Sequence, residues 1–469
     1  MIAAMSYAVV AQAQTEPADQ ALIDRIQTME EQMTALRSEI EALKTELRSS
    51  GERRSGPVAG KAEETVAVAS AETPARPPES QTKQAIGIDI GNGMRLVPYG
   101  TVFFNAFGNT SGTNNSDVPL WATSSDQSNT GISLRQTRFG ARVEGGRVGN
   151  AVVSGVIEAD FYGGLPAVGV GENFGVVRLR VAKFKFDWEK TSLTIGQDWI
   201  IFAPLSPTSI AAAAIPQFAA SGNLWARLPQ ARVERKFGGG RFLFQGAVLA
   251  PTSGDFPSGP ESPFLLQPGA ASRSGVPSFE GRLAFTGKNW LGSGKPGTVA
   301  VSGHFGRANV NGKGIGSYAL AADWNVPLAK RIGISGEAFF GENLGGLQGG
   351  VFQGYNPDYG TAAEGAAGVS VRAIRSRGGW VQVSYTPPVL RDRLSFYGSA
   401  GIDDPQNEDL LSPTPRNWRE RNLSYAFNII FKPIPQLSVG GEFRRFETNY
   451  FLTGKRTSDH LNFGAAYSF

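Results

Sequence analysis

The sequence predicts an all-β protein, a 16-stranded antiparallel transmembrane β-barrel preceded by a short periplasmic α-helical coiled coil. Three observations carry that prediction. From residue 86 onward, short segments alternate apolar and polar residues. Tight turns bearing Gly or Pro separate those segments in alternation with long connections rich in Gly, Asn, Ser and Pro. The last segment, 461–469, alternates strictly and stops on an aromatic residue.

Composition hides this architecture. The 469 residues contain no run near the roughly 18–20 apolar residues that a membrane-spanning helix needs. The mean hydropathy of −0.18 is that of a water-soluble protein. A barrel with apolar outward and polar inward residues gives the same average. The absence of Cys excludes a disulfide scaffold and a thiolate metal site, and no cofactor is expected. A net charge of +4 is too small and too dispersed to point to nucleic acid.

In chain order, residues 1–13 read as an export signal, with an apolar stretch from Ile2 to Val10 before the small-x-small site Ala11-Gln12-Ala13. No Lys or Arg precedes that stretch. Residues 20–50 read as a coiled-coil helix whose seam is Leu22, Ile26, Met29, Met33, Leu36, Ile40, Leu43 and Leu47. The 4-3-4-3 spacing runs unbroken, without Gly or Pro. Ile26 and Ile40 alternating with Leu36 and Leu43 follow the preference of two strands, while Met29 and Met33 specify little, so the heptads leave dimer and trimer open. Such a helix would extend about 45 Å into the periplasm, enough to clamp subunits and to contact a periplasmic or cell-wall partner. Residues 51–85, rich in Ala, Glu, Pro and Thr, form a flexible linker.

Residues 86–469 form the barrel. Strands are expected to start near residues 95, 132, 150, 175, 191, 229, 241, 278, 298, 316, 331, 378, 391, 421, 436 and 459. An even number, with short turns after even strands and long loops after odd ones, closes a barrel with both termini on the periplasmic side. Closure removes the unpaired edges that outer-membrane lipid cannot hydrate. At the end, Leu461, Phe463, Ala465, Tyr467 and Phe469 share a face. The terminal aromatic resembles the C-terminal signature of bacterial outer-membrane proteins, which implies recognition by the barrel-assembly machinery. Tyr467 and Phe469 would join the periplasmic aromatic girdle.

The connection after the fifth strand, residues 201–228, is long, with Arg227 as its only charge. A loop folded into the lumen and an external cap are both open. Parity on the flanking strands places basic residues inward: Arg138 and Arg142 oppose Phe139, Ala141 and Val143, and Arg178 and Arg180 oppose Leu179. Lys183 and Lys185 need a β-bulge near Ala182 to join them. Arg232 and Lys236 alternate with Val233 and Phe237. Basic side chains in a pore attract anions. Glu144, Glu158, Asp160 and Glu234 also face inward, so neutralisation of the wall is the competing reading.

Several segments together resemble the DcaP-like family of trimeric bacterial outer-membrane porins: 96–104, Arg135-Gln-Thr-Arg-Phe-Gly140, Glu158-Ala-Asp-Phe161, Arg178-Leu-Arg180, Gly196-Gln-Asp-Trp199 and Arg227-Leu-Pro-Gln-Ala-Arg232. The resemblance implies a homotrimer of sixteen-stranded pores, with a periplasmic coiled coil, that takes up small organic anions such as dicarboxylates. The Ala-rich spacer between Trp199 and Arg227 departs from the family pattern.

Two other classes compete. A hydrolase would have to use His304 with Ser302, two residues away on the same strand face, and no nucleophile motif surrounds them. A structural tether would use the coiled coil and keep the barrel as an anchor. The acidic group Asp403, Asp404, Asn407, Glu408 and Asp409 matches no cation-binding loop and reads as a solvated segment.

Overall fold

A strand that separates an apolar outside from a polar inside must alternate with period two, because successive side chains point to opposite faces. The computed structural model shows this through residues 87–165, 175–254, 267–360 and 370–469, which it describes together with Thr34 and Ser38. In the strand Arg419–Ile434, Tyr425, Phe427 and Ile429 are exposed on the outside, while Asn422, Ser424 and Asn428 are fully buried inside.

The strands are β1 (Ile88–Gly91), β2 (Met94–Asn109), β3 (Asn129–Ser133), β4 (Arg138–Val148), β5 (Ala151–Asp160), β6 (Arg178–Asp187) and β7 (Thr191–Trp199). They continue with β8 (Arg227–Phe237), β9 (Phe242–Leu249), β10 (Ser278–Gly287), β11 (Gly297–Val310), β12 (Lys313–Ala329) and β13 (Ile332–Glu342). The last are β14 (Tyr355–Tyr359), β15 (Ser370–Ala373), β16 (Arg375–Tyr385), β17 (Leu394–Pro405), β18 (Arg419–Ile434), β19 (Leu437–Tyr450) and β20 (Gly454–Ser468). Eighteen belong to one sheet, and β14 pairs only with β15. The eighteen make sixteen staves, because β3 and β4 both pair with β2 as one interrupted strand and β1 only folds back on the start of β2. Every pairing is antiparallel, and β20 pairs with β2 from Thr101↔Ser468 to Asn109↔His460, which closes the barrel. The strand starts expected from the sequence fall within a few residues of these bounds.

The alternation of short and long connections fails twice. Between β11 and β12 there are only Asn311 and Gly312, with φ of 52° and 80°, the two left-handed positions of a type I′ hairpin turn. Between β19 and β20 lie only residues 451–453. In both places long strands run on beyond the neighbouring staves and meet in a tight hairpin. Pro327 and Pro433 lie inside β12 and β18 next to register shifts.

At the chain end, the Phe469 and Gly100 backbones exchange hydrogen bonds of 3.1 Å, and the Phe469 ring lies where a Cβ on residue 100 would be. Tyr467 and Phe469 are both exposed outward. The expected export signal, the linker and the seam residues Leu22 to Leu47 lie outside the described residues. Thr34 and Ser38, from the same N-terminal unit, are helical and exposed.

Candidate pore and its basic wall

The connection from β7 to β8 folds into the lumen. It comprises residues 200–226 and carries no charge, because Arg227, read as its only charged residue, is the first residue of β8. Its backbone follows the inner wall from stave to stave. Ile201 and Phe202 N–H donate to Glu280 on β10 (3.0 and 3.1 Å), Ala203 N–H to Ser302 Oγ on β11 (3.3 Å) and Leu205 N–H to Glu337 on β13 (2.5 Å). Thr208 N–H donates to Gln382 on β16 (2.9 Å), and its carbonyl accepts from Asn428 on β18 (3.1 Å). Ser209 Oγ donates to Glu442 on β19 (2.5 Å), and Asn105 of β2 donates to Ile210 O (3.4 Å). Gln136, in the gap between β3 and β4, accepts from Ala213 and Ala214 N–H (2.7 and 2.9 Å) and donates to Ala211 O (2.8 Å). Arg178 and Arg227 then both donate to Ala214 O (3.1 Å each).

The Ala-rich composition follows from this path. A loop whose own peptide groups bond to the wall must approach it closely, and small side chains permit that. Wall glycines make room from the other side: a Cβ on residue 401 would lie 2.3 Å from Ser221 O. The second half of the loop returns across β18, where Asn422 Nδ2 donates to Ala220 O (2.9 Å) and the Ser221 and Ser424 hydroxyls are 2.9 Å apart. There it joins two other long loops. Leu120, Ala219, Ala220, Trp225 and Val351 form a buried apolar cluster inside the barrel mouth.

This filling is one-sided. Under the loops, Glu280, Glu337, Glu442 and Arg444 are sealed from solvent at 5% exposure or less. On the β4–β8 wall, side-chain exposure rises to 36% for Arg142, 33% for Lys185 and 27% for Arg178. The open part of the lumen therefore runs along the wall that carries the sequence-predicted basic residues.

Most of those residues are paired. Arg178 makes a forked contact with Asp160 (3.0 and 2.7 Å), and Arg180 bridges Glu158 and Asp160 at 2.7 Å each. Lys183 and Arg232 meet on Asp198 at 2.7 and 2.9 Å, with Arg232 also 3.1 Å from Glu234. Lys185 pairs with Asp187 (2.7 Å) and Arg142 with Glu144 (3.6 Å). A register shift between Glu158 and Ala159 gives β6 its extra residue at Arg180, so the expected bulge lies two residues before Ala182. Leu179 and Phe184 are exposed outward on either side of it, and Lys183 and Lys185 join the two arginines inside. Lys236 is exposed at the turn end of β8.

Arg138 and Arg227 form no ion pair with a described carboxylate. Arg227 lies between two indoles, 4.8 Å from the Trp199 ring and 5.2 Å from the Trp225 ring, and its buried Nη1 has no acceptor among the described residues. The sequence reading missed three parts of this arrangement: Asp198, the two tryptophans, and Tyr99, whose hydroxyl donates to Glu158 (3.2 Å) beneath the Arg142 guanidinium. Asp198 and Trp199 stood in the Gly196-Gln-Asp-Trp199 motif, but only the β6–β7–β8 pairing brings Lys183 and Arg232 to Asp198.

His304 and Ser302 lie beneath the inward loop. His304 Nδ1 is 3.2 Å from Glu280, its ring packs against Phe202, and Ser302 Oγ accepts from Ala203 N–H, so the pair is closed to a substrate. In the acidic group Asn407 and Glu408 are exposed as expected, whereas Asp403 and Asp409 are buried and bonded. Asp403 accepts from Gly350 and Val351 N–H (3.2 and 3.0 Å), Asp404 pairs with Arg377, and Asp409 with Arg372 and Arg375.

A closed sixteen-stranded antiparallel barrel narrowed by a loop folded into its lumen is the fold of outer-membrane channel proteins. The chain has the fold of a DcaP-like porin. It is similar to the outer membrane channel DcaP of Acinetobacter baumannii, with a TM-score of 0.63 and 16% identity over 82% of this chain and 99% of that one. The anion-selective porin of Comamonas acidovorans matches with a TM-score of 0.50 and 11% identity, over 80% of this chain and 100% of that one. No protein-family model and no curated protein matches the sequence.

Proposed function

We propose that the protein is an outer-membrane porin, a non-enzymatic channel for passive uptake of small hydrophilic solutes that favours organic anions such as dicarboxylates and works as a homotrimer. The observation that carries this reading is the charge left over on the open wall. Its carboxylates are matched by neighbouring cations, and Arg138 and Arg227 form no ion pair with a carboxylate among the described residues. A guanidinium fork matches a carboxylate with two parallel hydrogen bonds. Along the same wall the partly exposed Arg142, Arg178 and Lys185 offer further cations to a passing carboxylate. Several weak sites in series let an ion enter without trapping it. The names of the two similar structures, a channel and an anion-selective porin, agree with this. Trimer assembly rests on the family resemblance, while the heptad seam supports an oligomer without fixing its order.

The test is single-channel current in a planar bilayer, with reversal potential under a salt gradient and titration with succinate. Three coupled conductance steps, an anion-signed reversal potential and block by succinate are expected. A folded barrel that passes no current would remove the pore reading and favour the tether.

A further inference from the structure

Away from the basic wall, the long-loop end of the barrel holds a second concavity. Residues 253–254, 352–355 and 416–419 enclose about 390 Å³, within the range of roughly 300–1,000 Å³ usual for small-molecule sites. Its frame is fixed by polar bonds. Gln353 Nε2 donates to Arg419 O and Arg419 N–H donates to Gln353 Oε1, both at 2.8 Å, while Arg419 Nε donates to Val351 O at 2.9 Å. The turn beneath it is strained: Gln348, Val351 and Phe352 have φ of 66°, 50° and 62°. Asp403 holds that turn by accepting from Gly350 and Val351 N–H. Non-glycine residues keep such backbone only where their surroundings enforce it, and such residues cluster at binding sites.

The chemistry in the cavity is basic and aromatic. Arg416 is paired with Asp358 and lies 5.9 Å from the Trp418 ring. Arg419 lies 4.5 Å from the Trp121 ring, and among the described residues it forms no ion pair and its terminal nitrogens donate to no acceptor. Trp418 Nε1 is buried and has no acceptor among the described residues. A guanidinium fork with free terminal nitrogens beside ring faces calls for a carboxylate attached to a ring.

We propose that this cavity is a capture site for a ring-bearing carboxylate, with Arg419 receiving the carboxylate and Phe352 and Trp418 covering the ring. The proposal deepens the porin reading, on which its purpose rests. Phe352 packs on Trp121 (5.4 Å between centroids) and belongs with Trp199 and Trp225 to the apolar cluster that flanks Arg227, so a captured anion would be released toward that arginine.

The full-length protein in detergent should be titrated calorimetrically with benzoate, with galacturonate and, as the acid without a ring, with acetate. One ring acid should bind at least tenfold more tightly than acetate, and which one does so tells an aromatic from a sugar ring. Arg419→Gln and Trp418→Leu should each weaken that binding about tenfold or more. Because Arg419 also bonds Val351 O, Arg416→Gln serves as the second variant, with a severalfold loss expected. Equal affinity for all three acids, or unchanged binding in all the variants, overturns the proposal. Conductance is read separately in chloride. A barrel that binds a ring acid but passes no current keeps the site and loses the pore, and a conducting barrel that ignores both ring acids does the reverse.

Discussion

Replacing Arg138 and Arg227 together by Gln removes the two arginines of the basic wall that form no ion pair among the described residues. At 4 Å a unit charge interacts with another by about 1 kcal/mol in water and about 4 kcal/mol at an effective dielectric constant of 20. Taking the lower figure, each guanidinium favours a monovalent anion and disfavours a cation by about 1 kcal/mol, a difference of about 2 kcal/mol. At about 1.4 kcal/mol per tenfold, that is roughly 30-fold in the anion-to-cation permeability ratio for each guanidinium removed. Screening at physiological salt, with a Debye length of about 8 Å, reduces it. The double variant should therefore lose at least about fivefold in that ratio, seen as a reversal potential moved toward zero under a potassium chloride gradient. Arg227 also holds Ala214 O and stacks between Trp199 and Trp225, so Arg227→Lys is the control that keeps the charge while losing the fork. If the double variant keeps the wild-type reversal potential, or Arg227→Lys alone reproduces the loss, the leftover-charge argument is wrong.

Removing the Glu337 carboxylate with Glu337→Ala leaves Leu205 N–H and Trp380 Nε1 without an acceptor, about 1–3 kcal/mol for each buried donor. The inward loop should loosen, and single-channel records should become noisier at higher mean conductance. Gly222 has φ of +100°, and a Cβ there would lie 2.1 Å from Gly379 O. Gly222→Ala should lift the loop off the wall, at a strain of about 1–3 kcal/mol or more, and expose residues 200–226 to protease in an otherwise folded barrel. In the β17–β18 loop, burial alone would raise the Asp409 carboxyl, but hydrogen bonds from Arg375 and Arg372 outweigh it and hold it below the ordinary range. A depressed carboxylate stabilises the fold above its unfolded value, and that stabilisation disappears as pH falls through the folded value. Amide protection factors in 407–410 should therefore stay high near neutral pH and fall below about pH 3.8 in wild type, while Asp409→Asn should show low protection throughout.

The staves were legible because each must alternate along its own length, a local property that Leu423–Phe431 or Phe242–Val248 displays without reference to any neighbour. The inward direction of Arg138, Arg142, Arg178 and Arg180 was legible for the same reason. Pairing was not. Asp198 is linked to Lys183 and Arg232 by register across three staves, and register is set by the turns and bulges as much as by alternation. The path of the 200–226 loop was less legible still, since its backbone and Ser209 hydroxyl donors find Glu280, Glu337 and Glu442, residues 79 to 233 positions away. The sequence did offer one clue, an uncharged Ala-rich stretch in a part of the chain otherwise expected to meet water. The tight β11–β12 hairpin was signalled by Asn311-Gly312, but the expectation of long loops after odd strands masked it.

The circuit of the inward loop also bears on assembly. Its anchors run from Asn105 on the first stave to Glu442 on the fifteenth, so the loop cannot dock on a nascent chain from which the last strands are missing. Docking must follow the synthesis and insertion of nearly the whole polypeptide. A barrel stalled with its seam open would lack part of the ring of acceptors and leave the 200–226 segment cleavable. The arrival of protection in that segment then works as a built-in timestamp for the final folding step, readable by pulse proteolysis during assembly into lipid.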